Sequence, residues 1–449
     1  MIATKNKIPI IKGLNPFQLV KQLNENMLAF LREKPAIYGP TFQCKLIHRK
    51  LIFTSDPEWV KGILQTNQKD FGRGRAYDEL KLALGNGLLV NEGESWMRQR
   101  RLAQPAFYKQ RLNSLFDIME VRGNQMVSDL QAQSGNEISI IELFWSVTSD
   151  IVIQSLLGGE SSEENKSMQD AIQEIQEYLV ERIRSPLTKP MSFINGKHTR
   201  FKKQLKQFDD WVYRFIERQR LEGKDDNNLL AMLMDAKDED SGETMSTKQL
   251  RDEMITIYVA GHETSTFALS WTLYLLTCHP EIYAKAKAEV KQIKDIENIG
   301  FQGIYTLTYL NQILMESMRI YPPAFVFGRR VLQDTVIDDT LLKKDDNIVV
   351  NVYGLHNDPN IWPNPDEFNP ERFTAEAIKS RDKNAYIPFG GGPRMCIGNN
   401  FAIMEITMIL AKLLYHFDLE LVNKEPIETE PLITLRPKQD IMMRISKSY

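Results

Sequence analysis

The chain has 449 residues, of which 42% are hydrophobic and 26% charged, the balance of a soluble globular protein long enough to bury a large core. A formal net charge of −3, with no run of like charge, gives no reason to expect nucleic acid as a partner. The three cysteines, Cys44, Cys278 and Cys396, are too far apart to read as a disulfide framework or a zinc site, and they fit a reducing, cytoplasmic compartment.

Met1 to Gly13 carries lysines but no apolar h-region, so no secretory signal is expected. No stretch approaches the roughly 18 uninterrupted apolar residues that a membrane span requires. Residues 1–35 read as a polar lead-in with a short amphipathic helix around Gln18 to Arg32. From Pro40 to Ser55 the residues alternate and include Thr41-Phe42-Gln43 and Leu51-Ile52-Phe53-Thr54, which predicts strands of a small sheet. Asp56-Pro57 then opens a helix over Glu58 to Gln65. From Trp96 to about Asp295 helical periodicity dominates, interrupted by a polar loop at Gly158–Ser162 and by wet segments around the apolar patch Leu229–Met234. Ser246-x-x-Gln249 is a capping box with Met245 and Leu250 placed to staple across it. The helix it starts runs to Cys278, where His279-Pro280 stops it. At about 1.5 Å per residue it is on the order of 50 Å long, and its apolar residues on most sides place it inside the molecule. Helices over Glu281–Ile293 and Leu307–Ile320 follow, then strands within Ala324–Asp334 and Thr335–Val352. A proline-rich meander (Pro359–Pro370), an apolar helix (Phe401–Leu414) and short strands (Leu419–Ser446) complete the chain. Helix in the middle with sheet from both ends argues for one mainly α domain with a minor β portion across 1–449, against the two or three domains that length alone suggests.

Four patterns carry chemistry. Phe389-Gly-Gly-Gly-Pro-Arg-Met-Cys-Ile-Gly398 puts Cys396 in a glycine-rich loop just before an apolar helix, where free N–H groups and the helix dipole favour a thiolate. Gly390, Gly391 and Gly392 let this backbone take positive φ and approach a flat ligand. Taken alone, the cysteine reads as a buried residue on a tight turn. Ala260-Gly-His-Glu-Thr-Ser265 interrupts the long helix with a glycine that costs about 1 kcal/mol relative to alanine, and Thr264 can bond back to a carbonyl one turn earlier. That interruption either lets helices pack closely or opens a groove; His262 reads as a satisfied or partly exposed histidine, not as a metal ligand. Glu316-x-x-Arg319 shares one helix face, a weak signal alone that gains from Asn369-Pro-Glu-Arg372-Phe373 downstream. Trp96-x-x-x-Arg100 lies on a helix rich in cations (Arg98, Arg100, Arg101), otherwise a basic surface with one aromatic.

In this order, and across essentially the whole chain, the four patterns resemble those of the cytochromes P450. The resemblance implies the P450 fold, with haem b held between the Ser246–Cys278 helix and the Cys396 loop. Cys396 would be the axial iron ligand, with Phe389, Gly390, Gly398 and Ala260 shaping the haem site. Thr264 would hydrogen-bond bound oxygen and Glu263 relay protons. Glu316, Arg319 and Arg372 would form a buried network that braces the cysteine loop. Trp96, Arg100, Arg394 and one of Arg329 or Arg330 would meet the haem propionates. Strand alternation allows only one of that pair, and Arg329 is preferred. Leu89, Ala324, Phe325, Val326 and Thr434 fall in the family's recognition regions, as a greasy pocket or as core. The implied reaction inserts one atom of O₂ into a C–H bond of an apolar small molecule, fatty-acid- or terpenoid-like, or demethylates an ether. The motifs lean toward fatty-acid and alkane hydroxylases. No flavin- or nucleotide-binding glycine fingerprint is read, so electrons are expected from a separate ferredoxin or flavodoxin with its NAD(P)H reductase, docking on Arg98, Arg101, Lys379, Arg381 and Lys383 of a cytoplasmic monomer. Rival readings are a P450-fold peroxygenase or isomerase that needs no redox partner, and a non-enzymatic haem sensor or carrier.

Overall fold

The computed structural model describes residues 8–12, 16–46, 49–157, 163–184, 194–221, 228–238 and 240–448. The chain forms two compact units: residues 1–78, 312–396 and 430–436 make the first, and 79–311, 397–429 and 437–449 the second.

The first unit is built on a five-stranded sheet in the order Thr41–Leu46, Arg49–Thr54, Asn347–Asn351, Val326–Val331, Phe71–Arg73. The first two strands form an antiparallel hairpin, and the second runs parallel to Asn347–Asn351. Period-two alternation sends Phe53 to one face and Ile52 to the other. Phe53 joins Phe30, Leu31, Phe42, Phe325 and Leu435 in one core, where Phe42 and Phe53 stack at 5.3 Å. Ile52 joins Trp59, Val60, Ile63, Leu64, Val331 and Val350 in another. The single N-terminal helix expected from sequence is two, Pro16–Glu25 and Met27–Tyr38, with Asn26 as the break. Ahead of them the chain is tied to the sheet edge, Ile11 N bonding Gln43 O at 3.0 Å and Gln43 N bonding Pro9 O at 2.8 Å. Asp56 caps Pro57–Lys61 by accepting from Glu58 N, and the helix widens into a π turn over Gly62–Thr66.

The second unit is helical. Its centre is Thr247–Cys278, capped where Ser246 Oγ accepts from Gln249 N at 3.2 Å, with Met245 and Leu250 both buried. This helix packs on Ile140–Leu157, where Thr148 and Thr266 hydroxyls meet at 2.8 Å and Ser149 meets Tyr258 at 2.9 Å. Asn399–His416 packs against it as well, and is two residues longer at each end than the apolar run alone indicates. A three-stranded sheet orders Glu137–Ser139, Met442–Lys447 and Phe417–Leu421. The Glu137–Ser139 strand lies inside the stretch where helical periodicity dominates; at three residues it has no periodicity of its own and exists through pairing, Ile138 opposite Met443. The polar loop at 158–162 and part of the wet segment at 223–243 lie outside the described residues. Among the described residues no helix is long and apolar enough to cross a membrane.

Candidate active site

In the first unit the cysteine loop is closed by its own backbone. Gly390 N bonds Ile387 O at 2.9 Å, Cys396 N bonds Phe389 O at 2.9 Å, and Met395 N bonds Gly392 O at 3.1 Å. Gly390 and Gly392 sit at φ +73° and +65°, and a Cβ on Gly392 would lie 1.8 Å from the carbonyl oxygen of Leu64. That position accepts only glycine, for conformation and for space. Gly398 differs: its φ is negative, and a Cβ there would make an ordinary 3.8 Å contact with Phe107, so its place is the helix cap. Within this fastened loop the side chains of Met395 and Cys396 are exposed and those of Phe389 and Arg394 half-buried.

Beneath the loop lies a buried ion network. Glu316 and Arg319, both fully buried, pair through two bonds of 2.7 and 2.9 Å. Arg319 also donates to the carbonyls of His356 (2.9 Å) and Pro365 (2.8 Å), while Glu316 accepts from Asn369 N at 3.0 Å. Arg372 Nε stands 3.3 Å from Glu316, and its Nη2 donates to Asn364 O. A buried pair is tolerated only where the remaining donors and lone pairs are met like this. His356 extends the network to the loop, its Nε2 accepting from Ile387 N at 2.9 Å. Burial and the neighbouring Arg319 guanidinium push His356 down to about 3, so it stays neutral and can accept. Nothing near His356 in the sequence marked it. Tyr386 stacks on its ring at 5.1 Å and donates to Met315 O.

Arg329 is buried, with Nη1 donating to Gly328 O at 3.0 Å and the guanidinium over Phe327 at 4.9 Å; its neighbour Arg330 is half-buried. Phe325, just ahead of the Val326–Val331 strand, belongs to the sheet core with Phe30 and Phe42, and Val326 packs against the same cluster. Ala324 is exposed and Thr434 buried. Arg381 is not the surface cation expected of it. It donates to Arg372 O and lies over Trp362 at 4.0 Å, half-buried.

In the second unit the long helix is buried along most of its length but shows a stripe in its middle, with Val259 partly exposed on another side. Ala260 is exposed, and Ile257, Gly261 and Thr264 are partly so, at the i, i+3, i+4, i+7 spacing of a single face. Thr264 Oγ1 donates to Ala260 O at 2.9 Å, which leaves the hydroxyl's lone pairs toward that face. Gly261 also serves packing, since a Cβ there would stand 3.2 Å from Val152. Glu263 is buried away from the stripe and accepts from Gln176 Nε2 at 2.5 Å. His262 is fully buried, stacked on Tyr258 at 4.8 Å and met edge-on by Trp145 at 4.7 Å. Burial pushes it down to about 4, so it is neutral.

On the Gly93–Ala103 helix Trp96 is buried and Arg100, one turn on, half-buried. Arg98 pairs with Glu243 at 2.9 Å, and Arg101 with Asp238 and Asp240 at 3.1 and 2.8 Å. These two cations therefore face an acidic loop instead of forming an open basic patch. Leu88 and Val90 are buried and Leu89 partly exposed. Their loop is seated on the long helix: Asn86 N bonds Asp252 at 2.9 Å, Leu88 N bonds Glu253 at 2.9 Å, and a Cβ on Gly87 would strike Thr256. Asp252 and Glu253 were not singled out from sequence. The available signal was the charged triplet Arg251-Asp252-Glu253 inside an otherwise apolar helix.

Each unit thus presents a feature that suits a flat, thiolate-bound cofactor. One offers an exposed sulfur on a loop closed by its own backbone hydrogen bonds, the other small, exposed or partly exposed residues in the middle of a buried helix. Comparison with known proteins bears on both. The family model for Cytochrome P450 matches residues 9–444. The mouse leukotriene-B4 omega-hydroxylase 3 is 32% identical over 400 residues, covering 82% of this chain and 75% of that protein. Cyclooctatin synthase of Streptomyces melanosporofaciens is 28% identical over 416 residues, covering 91% and 89%. The crystal structure of the cytochrome P450DA heme domain superposes with a TM-score of 0.90 over 98% of each chain at 24% identity, a likeness of fold. The chain belongs to the cytochrome P450 family. It is accordingly a haem protein and an oxidoreductase of the monooxygenase kind, a class that uses O₂ and a source of electrons.

Proposed function

We propose that residues 1–449 act as one catalytic domain, a cytoplasmic monomer that inserts one oxygen atom from O₂ into a C–H bond of a long apolar substrate, fatty-acid- or terpenoid-like. The cofactor is haem b, and the electrons come from a separate ferredoxin or flavodoxin. The observation that carries this reading is the exposed Cys396 side chain on a loop fastened from behind by Leu64, His356 and the Glu316 network. Relatives named as an omega-hydroxylase of a lipid and as the synthase of cyclooctatin support an apolar substrate.

Haem bound through Cys396 supplies the activation of dioxygen, its thiolate ligand favouring O–O cleavage. The chain's own residues divide the remaining work. Trp96, Arg100, Arg329 and Arg394 would hold the propionates, the arginines by charge and the indole as a donor only. Ala260 leaves room on the helix face. Thr264, already donating to Ala260 O, offers its oxygen as an acceptor and positions water there. Glu263 holds the proton supply, and it must exchange its Gln176 partner to release a proton toward Thr264. Leu89, partly exposed, and Ala324, exposed, line the substrate's path.

The test is a spectral screen of the holoprotein with fatty acids, terpenes and methylated sugars, followed by turnover of the best binder. A shift from low to high spin with long apolar compounds, and product from NAD(P)H with a ferredoxin system, is the expected result. Product with peroxide alone would favour the peroxygenase. No spin shift with any compound, and no product, would favour the sensor.

A further inference from the structure

Residues 85–91 link the Ala76–Leu84 helix to the Gly93–Ala103 helix and satisfy only part of their own backbone. Gly85, Gly87, Val90 and Asn91 donate to carbonyls of the segment itself or of the turn before it, at 3.0 to 3.1 Å. Asn86 and Leu88 instead donate to two successive acids of the long helix, Asp252 and Glu253, each at 2.9 Å. Gln99, buried on the following helix, donates to Asn86 O at 2.7 Å and accepts from Asn91 Nδ2 at 2.6 Å. A Cβ on Gly87 would lie 1.9 Å from Thr256 Oγ1, so the loop backbone rests directly on the long helix. Held this way, Leu88 and Val90 are buried and Leu89 between them is partly exposed.

The two acids are not equivalent. Asp252 is matched on its own helix by Lys248 at 2.9 Å and Arg251 at 2.8 Å, besides the Asn86 amide. Glu253 is 1% exposed and meets Leu88 N through Oε2, while its Oε1 has no hydrogen-bond partner among the described residues. The Thr256 hydroxyl, one turn on, is likewise buried and without one. An acid with an orphaned oxygen is unfavourable in a core, where an apolar side chain of the same size would suit the helix better. What the carboxyl does that a leucine cannot is receive the Leu88 N–H.

We infer that Glu253 is a positioning residue for the substrate: by holding the Leu88 peptide it fixes where Leu89 stands, and so which apolar chains fit against it. The inference rests on the reading above that Leu89 lines the substrate's path. Glu253→Leu leaves the buried Leu88 N–H without its acceptor and loosens the tip. Glu253→Gln keeps a carbonyl oxygen for it. Gly87→Ala pushes the same backbone off the long helix with the acid untouched.

The experiment uses holoprotein of wild type, Glu253→Gln, Glu253→Leu, Gly87→Ala, Leu89→Ala and the double variant that combines Glu253→Leu with Leu89→Ala. Amide exchange over residues 85–91, read by mass spectrometry, should quicken several-fold in E253L and G87A and stay as in wild type in E253Q. Binding is titrated spectrally with lauric, myristic and palmitic acids, and with N-dodecylimidazole, which ligates haem iron whatever the native substrate. Dissociation constants should rise several-fold in E253L and G87A, and the order of preference among the three acids should change. Turnover at saturation should fall less, and E253Q should bind as wild type. L89A should alter the same constants, and the double variant should add little to it, because both changes remove one contact. The inference is overturned if E253L exchanges and binds as wild type, if E253Q behaves as E253L does, or if the double variant is fully additive. A lower unfolding midpoint in E253L, with exchange and preference unchanged, would overturn it too and leave Glu253 a core residue only. Should E253L fail to load haem, G87A carries the same expectations. L89A without effect on any of the four compounds, while exchange still quickens in E253L, would instead overturn the reading of Leu89 on which the inference rests.

Discussion

Four buried groups give the stability of this protein a defined pH profile. Burial raises Glu253 to about 7 and Glu405 to about 8, against about 4.3 in an unfolded chain. The stabilisation these carboxyls provide as neutral groups is full below about pH 4.3 and is lost as pH rises toward their folded values, at about 1.4 kcal/mol per pH unit for each group. His262 and His356 work in the opposite sense. Their folded values fall to about 4 and about 3, so their contribution is full above about pH 6.5 and is lost as pH falls. The two effects offset one another between about pH 4.3 and 6.5. Denaturant unfolding across pH should show a plateau there, with a decline on each side. Glu405→Gln and Glu253→Gln should each flatten the alkaline decline and leave the acid one unchanged. None of these four roles was legible in the sequence, except that His262 read as a satisfied residue. Burial of an isolated acid or histidine depends on what the fold stacks against it, and single-chain spacing does not encode that.

At the scale of elements, the long helix and the cysteine loop differ in how they are held, and substitutions should separate them. Ser246→Ala removes one cap bond and should cost about 1 kcal/mol, read as a small drop in unfolding midpoint with full haem content. Glu316→Ala strands the buried Arg319, and breaking such a pair costs about 3–5 kcal/mol; the product should be haem-poor before it is unfolded. Normal haem loading in the Glu316 variant would show that the network does not brace the loop. The capping box, the hairpin at Thr41–Thr54 and the long helix were readable because each carries its own local chemistry. The Phe71–Arg73 and Glu137–Ser139 strands were not, being three residues long and defined by partners far away in sequence. The Gly85–Val90 loop was likewise hidden, since its anchors Asp252 and Glu253 lie on a helix more than 160 positions later.

For the whole molecule, the motifs Trp96–Arg100, Ala260–Ser265, Glu316–Arg319 and Phe389–Gly398 are enough to place the family, because cofactor chemistry restricts residue type as well as spacing. The electron-donor surface was less legible. Charge in the sequence does not reveal that Arg98 and Arg101 are matched by Asp238, Asp240 and Glu243, or that Arg381 lies on Trp362. Of the five cations considered, Lys379 and Lys383 remain exposed on the unit that carries Cys396. Lys379→Glu with Lys383→Glu should slow reduction by a donor protein several-fold at low ionic strength, and the difference should shrink as salt screens it, the Debye length being about 10 Å at 0.1 M. Equal rates in both proteins at low salt would remove this surface from the account. The central claim, a thiolate bond from Cys396 to haem iron, is tested most directly by the absorption spectrum of the reduced protein under carbon monoxide. The account predicts the red-shifted Soret band from which the family takes its name, and its loss in Cys396→Ser or Cys396→His with haem still bound. A fully haem-loaded wild-type protein without that band, or a Cys396 variant that keeps it, would contradict the account.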